Sequence, residues 1–127
     1  AYWLDLGTPA QYLQAHADLL SGKIAGVSYD APWIGPETEI DPTSKIGPWV
    51  AVGRGATIGA AAEVDRSVLL PGAVVGRGVR VTGSIVGSRA VVGARATIVD
   101  GVLGAGARLP EGRAFQGIRV PAGAVVT

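Results

Sequence analysis

Cysteine is absent from this chain of 127 residues, and histidine occurs once, as His16. Without thiols there can be no disulfide framework and no thiolate zinc site. Charge of one sign is not in surplus either. Eleven basic against ten acidic residues leave a net charge of +1. With no dense basic run, neither a nucleic-acid surface nor an anionic-membrane surface is expected. Long hydrophobic runs are also missing. The hydrophobic share is 48%, but it is scattered Val, Ile and Ala, and no segment approaches the roughly 20 apolar residues of a membrane span. The first residues show no charged leader followed by an apolar run, so they do not read as a secretion signal. They open on Ala-Tyr-Trp-Leu-Asp without an initiator Met. That opening reads as the tail of a longer polypeptide, cytoplasmic by default.

What is present is a ladder. From Ile34 an aliphatic residue returns every six positions, with an occasional step of five: Ile40, Ile46, Val52, Ile58, Val64, Leu69, Val75, Val81, Val86, Val92, Ile98, Leu103, Leu109, Phe115, Val120 and Val126. Only Phe115 among these is not aliphatic. The short steps follow Val64, Val81, Ile98 and Phe115, so they recur every seventeen residues and fall on one of three faces. Gly follows the rung at eight of sixteen places, for example Gly53, Gly59, Gly87 and Gly104. A repeated tight corner is expected to need backbone angles that Gly reaches cheaply. The fourth position after a rung is small or β-branched at fourteen of sixteen places, as at Ser44, Ala56, Ala73 and Ala90. A narrow prism has room for little else. On the short-step face the corner residues are Asp65, Thr82, Val99 and Gln116, none of them Gly, so that corner should be built differently.

Neither a 3.6-residue period nor plain alternation fits this series. A fixed period with one inward rung per side and three sides per turn indicates an all-β solenoid, a parallel β-helix of between five and six coils over residues 34–127. Burying each rung contributes roughly 1.5–3 kcal/mol before chain entropy is subtracted.

The first 33 residues are organised differently. Ala1 to Leu6 reads as a short strand broken by Gly7. Thr8-Pro9-Ala10-Gln11 then supplies an N-cap, a proline at the first helical position and a glutamine three residues after the cap. The helix should run to about Leu20, with Leu13, Ala17 and Leu20 on one face, Tyr12 and His16 nearby, and Gly22 as the stop. Residues 23–33 read as a linker. One strand and one helix cannot bury a core alone, so they must dock on the first coil or on another domain. Trp33 and Trp49 fall outside the rung positions at that end; packing between helix and coil is the leading reading, and ligand stacking the other. Along one outer face the residues before the rungs are Thr57, Val74, Val91, Arg108 and Val125, an apolar row suited to contact between subunits.

Rungs such as Ile58-Gly-Ala-Ala-Ala-Glu and Val92-Gly-Ala-Arg-Ala-Thr resemble the hexapeptide-repeat proteins. That resemblance implies a left-handed coil, against the usual right-handed rule for parallel crossovers. The stretch Tyr2-Trp3-Leu4-Asp5-Leu6-Gly7-Thr8-Pro9, followed by the helix with Tyr12 and Leu13, resembles the end of the catalytic domain of sugar-1-phosphate nucleotidyltransferases, mannose-1-phosphate guanylyltransferases most of all. On that resemblance residues 1–22 are the terminal strand and helix of a catalytic domain whose N-terminal remainder is missing. Asp5 would help hold the catalytic Mg²⁺ with an aspartate from earlier in that domain, a role that suits a hard cation beside phosphates. The parent would join a nucleoside triphosphate to a sugar 1-phosphate, GTP and mannose 1-phosphate by preference, releasing pyrophosphate.

The family's Gly-rich nucleotide loop has no counterpart here. Gly53-Arg54-Gly55 and Gly76-Arg77-Gly78 read as repeat corners, not phosphate loops. The chain by itself is therefore expected to be catalytically inactive, with no cofactor of its own and no catalytic residue in the β-helix. Two alternatives stand beside this: a hexapeptide acyltransferase, which uses a coil-borne His as general base, and a purely structural module that joins subunits into a homo-oligomer. The single His lies on the predicted N-terminal helix, away from the coils, and a zinc site of three histidines is excluded by count.

Overall fold

The computed structural model describes residues 33–47 and 50–127. The predicted strand Ala1 to Leu6 with Asp5, the predicted helix with His16, most of the linker, and Trp49 lie outside the described residues.

Each of five successive laps from Trp33 makes three short strands, one on each face of a triangular prism, and a sixth lap begins with one more. The first face stacks six in parallel: β1 (Trp33–Ile34), β4 (Ala51–Val52), β7 (Val68–Leu69), β10 (Ile85–Val86), β13 (Val102–Leu103) and β16 (Arg119–Val120). The second face stacks β2 (Glu39–Ile40), β5 (Thr57–Ile58), β8 (Val74–Val75), β11 (Val91–Val92) and β14 (Arg108–Leu109). The third stacks β3 (Lys45–Ile46), β6 (Glu63–Asp65), β9 (Arg80–Thr82), β12 (Thr97–Val99) and β15 (Ala114–Gln116). All pairings are parallel, and each rung sits beside a rung: Val52 on Leu69, Ile58 on Val75, Val81 on Ile98. A two-residue strand cannot stand alone. It persists because its backbone donates to the coil above, as Gly53 N does to Leu69 O at 2.6 Å and Leu70 N to Val86 O at 2.9 Å.

The predicted axis is the observed one. Val75, Val92 and Ile98 are 1%, 1% and 0% exposed. The rungs are joined in the core by Ala56, Ala62, Ala73, Ala90, Ala96 and Ala107, which occupy the narrow corners. Exposure rises only toward the ends of the stack: Ile34 is 44% exposed, and Ile40, Ile46, Phe115 and Val126 are half-buried. An interior rung is covered from both sides along the axis; a terminal one is not.

The corners differ from the sequence expectation in their cause. In the six-residue corners the left-handed residue is the third after the rung, as in Gly55 (φ 69°), Gly72 (φ 76°) and Gly106 (φ 70°). The N–H that follows it closes a turn, Ala56 N to Gly53 O and Ala73 N to Leu70 O. A positive φ at the third turn residue is the type II geometry, and Leu70-Pro71-Gly72-Ala73 has the Pro-Gly pair that geometry favours. The glycines directly after the rungs serve another purpose. A Cβ on Gly87 would lie 2.5 Å from the carbonyl carbon of Gly104, and one on Gly104 would lie 2.4 Å from Ala122 N. Those glycines let one coil sit down on the next.

The short corner is indeed built differently. There the left-handed residue comes one position sooner, at Arg66, Gly83, Asp100 and Gly117. In the first two of these corners a buried serine, Ser67 or Ser84, makes the local bond; Gly101 and Ile118 hold that position in the other two. The Ser67 hydroxyl donates to Asp65 O at 2.7 Å and accepts from Ser84 N at 3.1 Å. Ser84 repeats this one coil on, donating to Thr82 O at 2.7 Å and accepting from Gly101 N at 3.0 Å. Each hydroxyl thus satisfies the backbone of two coils at once.

Candidate functional surfaces

A prism filled with side chains leaves its chemistry to three outer rows and three corner columns. On the second face the outward residues Thr57, Val74, Val91 and Arg108 lie in register, with Val125 bridged to Arg108. This is the row expected from the sequence. Thr57, Val74 and Val91 are half-buried, Arg108 is exposed and Val125 is 62% exposed. Apolar side chains therefore meet solvent along it.

The third face is polar outside. Lys45, Glu63 and Arg80 stand in register, and Arg80 Nε bonds Glu63 Oε2 at 2.8 Å. Two further ion pairs join coils at the corners, Glu37 with Arg54 at 2.7 Å and Arg95 with Glu111 at 3.7 Å. Exposed pairs of this kind contribute little to stability and are screened by salt. The Arg54 bond holds the Glu37 carboxyl below the usual carboxylate range. Asp41 is lowered too, through the Thr43 hydroxyl and then the Thr43 N–H at 2.8 Å.

The first face was not singled out from the sequence as a surface. Its outward row is Trp33, Ala51, Val68, Ile85 and Val102, ending at Arg119. Unlike the outward residues of the other faces, Ala51, Val68, Ile85 and Val102 are 1%, 0%, 0% and 6% exposed. The signal was available, since 51, 68, 85 and 102 are spaced by seventeen. It was obscured because 68, 85 and 102 are also the fourth residues after a rung, a position that points inward everywhere else. The five-residue step moves that position one place along the strand and so turns it to the outside.

Gly53-Arg54-Gly55 and Gly76-Arg77-Gly78 are corners between short strands, as the repeat implied. Among the described residues no three His, Cys, Asp or Glu side chains cluster as a metal site would require. The Asp65 carboxylate leans over Gly47, with Oδ1 buried and unpaired among the described residues, but it stands alone. The metal candidate Asp5 and the lone His16 lie outside the described residues, so the structure brings neither to a site. No helix among the described residues is long and apolar enough to cross a membrane.

These features define a class: a left-handed parallel β-helix of hexapeptide repeats. Its family follows from comparison with known proteins. Residues 29–126 match the model of the GMPPB C-terminal domain, and the chain belongs to that family, the C-terminal domain of sugar nucleotidyltransferases. No curated protein sequence matches the chain. Among solved structures it is similar to GDP-perosamine N-acetyltransferase from Caulobacter crescentus, crystallised as two different histidine mutants, each in complex with CoA and GDP-perosamine. Both superpose with a TM-score of 0.71 at 25% identity, over 75% of this chain and 49% of theirs. The chain thus spans about half the length of these structures.

Proposed function

We propose that this chain is the solenoid part of an enzyme that joins a nucleoside triphosphate to a sugar 1-phosphate, with GDP-mannose the favoured product. In this reading the solenoid assembles subunits and holds the end of a catalytic domain in place. The observation that carries it is the order of parts. A family match over residues 29–126 comes after Trp3-Leu4-Asp5-Leu6-Gly7-Thr8-Pro9, the motif resembling the end of a nucleotidyltransferase domain, with the predicted helix and linker between them. Asp5 would supply one carboxylate to Mg²⁺, with its partner upstream. When bound, that ion neutralises charge as phosphates exchange. This chain's own contribution is to orient the Asp5 carboxylate at the strand end.

The fold neighbours are N-acetyltransferases crystallised in complex with CoA, which keeps acyl transfer as a second reading. It would need a histidine on a coil, and residues 33–127 contain none. The experiment is a paired assay. Residues 1–127 incubated with GTP, mannose 1-phosphate and Mg²⁺ should release no pyrophosphate, and with acetyl-CoA and GDP-linked amino sugars should release no CoA. The polypeptide extended upstream through the nucleotide loop should form GDP-mannose. There Asp5→Asn should lower kcat by at least about 100-fold, and chelation should stop turnover without shifting the solenoid's melting. CoA release by the 127-residue chain would replace this reading with the acyltransferase one.

A further inference from the structure

We propose that the outward row of the second face seats a second copy of this chain turned end over end, so that two solenoids run antiparallel across a twofold axis at Val74. This pairing rests on the role proposed above for the solenoid, the joining of subunits, and is independent of the catalytic chemistry. Among the described residues the second face carries the open apolar strip. Val68 and Ile85 of the first face are wholly enclosed, and on the third face Glu63 and Arg80 are bonded to each other at 2.8 Å. On the second face Val74 and Val91 are half-buried. The same row carries one charge of each sign. Glu39 stands in β2 and Arg108 in β14, the two outermost strands of that five-stranded sheet, and both are exposed. Val74 stands in β8, the middle strand.

Within one chain these two charges cannot meet. Four coil spacings of roughly 4.8 Å separate them, about 19 Å in all. The ion pairs among the described residues join others: Glu37 with Arg54, Glu63 with Arg80 and Arg95 with Glu111. A twofold contact lays the row on the same row of its partner, either parallel or antiparallel. In the parallel sense Glu39 meets the partner's Glu39 and Arg108 the partner's Arg108, both like-charge contacts. Glu39 lies two strands before Val74 and Arg108 two strands after it. In the antiparallel sense about Val74, Glu39 therefore meets the partner's Arg108 and Arg108 the partner's Glu39. Thr57 then meets the partner's Val91, and Val74 its own counterpart. Like charges across an interface oppose association and opposite ones fix its register, which selects the antiparallel sense. An axis between β8 and β11 would put Val74 on Val91 but leave Glu39 against Val125 and Arg108 against Thr57, neither charge matched. A chain of net charge +1 has no pull on a polyanion, and its apolar strip between opposite charges is complementary to itself. The occupant is another copy.

Sedimentation equilibrium of the 127-residue chain should show a monomer–dimer equilibrium. Arg108→Glu alone and Glu39→Arg alone should each raise the dimer Kd at least about 10-fold, because each makes both charge contacts repulsive. The double variant Glu39→Arg with Arg108→Glu should return to the Kd of the unsubstituted chain. So should an equimolar mixture of the two single variants, in which every contact between unlike copies is again opposite in sign. A dimer whose Kd ignores the single reversals would overturn the antiparallel contact and leave the solenoid's assembly role standing. A chain that stays monomeric would overturn both, and a trimer would overturn the twofold pairing. Circular dichroism checks that each variant folds. If one does not, salt decides on the unsubstituted chain. Raising ionic strength from about 0.01 M to about 0.1 M shortens the screening length from roughly 30 Å to roughly 10 Å. A Kd that rises supports the opposite-charge contacts, and a Kd that falls or stays level overturns them.

Discussion

Two kinds of glycine occupy the corners, and they should respond differently to the same added methyl. At Gly87 the Cβ would meet the Gly104 backbone at 2.5 Å, and neither coil can move without its neighbours. Gly87→Ala should cost about 1–3 kcal/mol, as overpacking does. At Gly112 (φ 70°) nothing lies within 4 Å, so Gly112→Ala meets only the left-handed backbone penalty, about 1 kcal/mol. Equilibrium urea unfolding of the two variants measures the difference. Ser84→Ala removes the acceptor of the buried Gly101 N–H and should cost about 1–3 kcal/mol. Asp41 supplies a pH signature. Its carboxyl is held low in the fold by Thr43, so its contribution is present above the unfolded value and is lost as pH falls through the lower folded one. Carboxyl NMR titration should show Asp41 moving up toward the ordinary aspartate range in Thr43→Val.

For a strand of two residues, stability belongs to the stack. An interior rung has neighbours above and below, and Ile98→Ala should cost about 2–5 kcal/mol. Ile34, already 44% exposed, should lose far less on the same change, and thermal unfolding of the pair checks the ratio. The ladder was readable as strands because the rung period cannot be satisfied by a helix or a flat sheet. The corners were readable as corners but for an incomplete reason: the glycines after the rungs admit the next coil, and the left-handed turn lies two residues later. No one-residue rule could separate these, since the constraint at Gly104 comes from Ala122, eighteen positions away.

Across the whole molecule the three faces are not equivalent. One is polar and ion-paired, one carries a partly exposed apolar row, and one is enclosed. If the second face joins subunits, Val74→Glu with Val91→Glu should leave the circular dichroism spectrum unchanged and shift light scattering to the monomer mass. An oligomer indifferent to both changes would place the contact elsewhere. At Asp5 the sequence offered a resemblance to a nucleotidyltransferase motif, and a short motif names a residue type and spacing without placing any partner beside it.

The seventeen rungs, the three-sided lap and the one odd corner follow from sequence alone, because a repeat of fixed period leaves a chain only one way to bury its apolar series. Which outward row stays covered was decided by tertiary structure. Val68, Ile85 and Val102 look like the interior small or β-branched residues of the fourth position until the shortened step turns them outward. Their burial, against the half-burial of Val74 and Val91, is a property of the face as a whole, and local pattern carries no record of it.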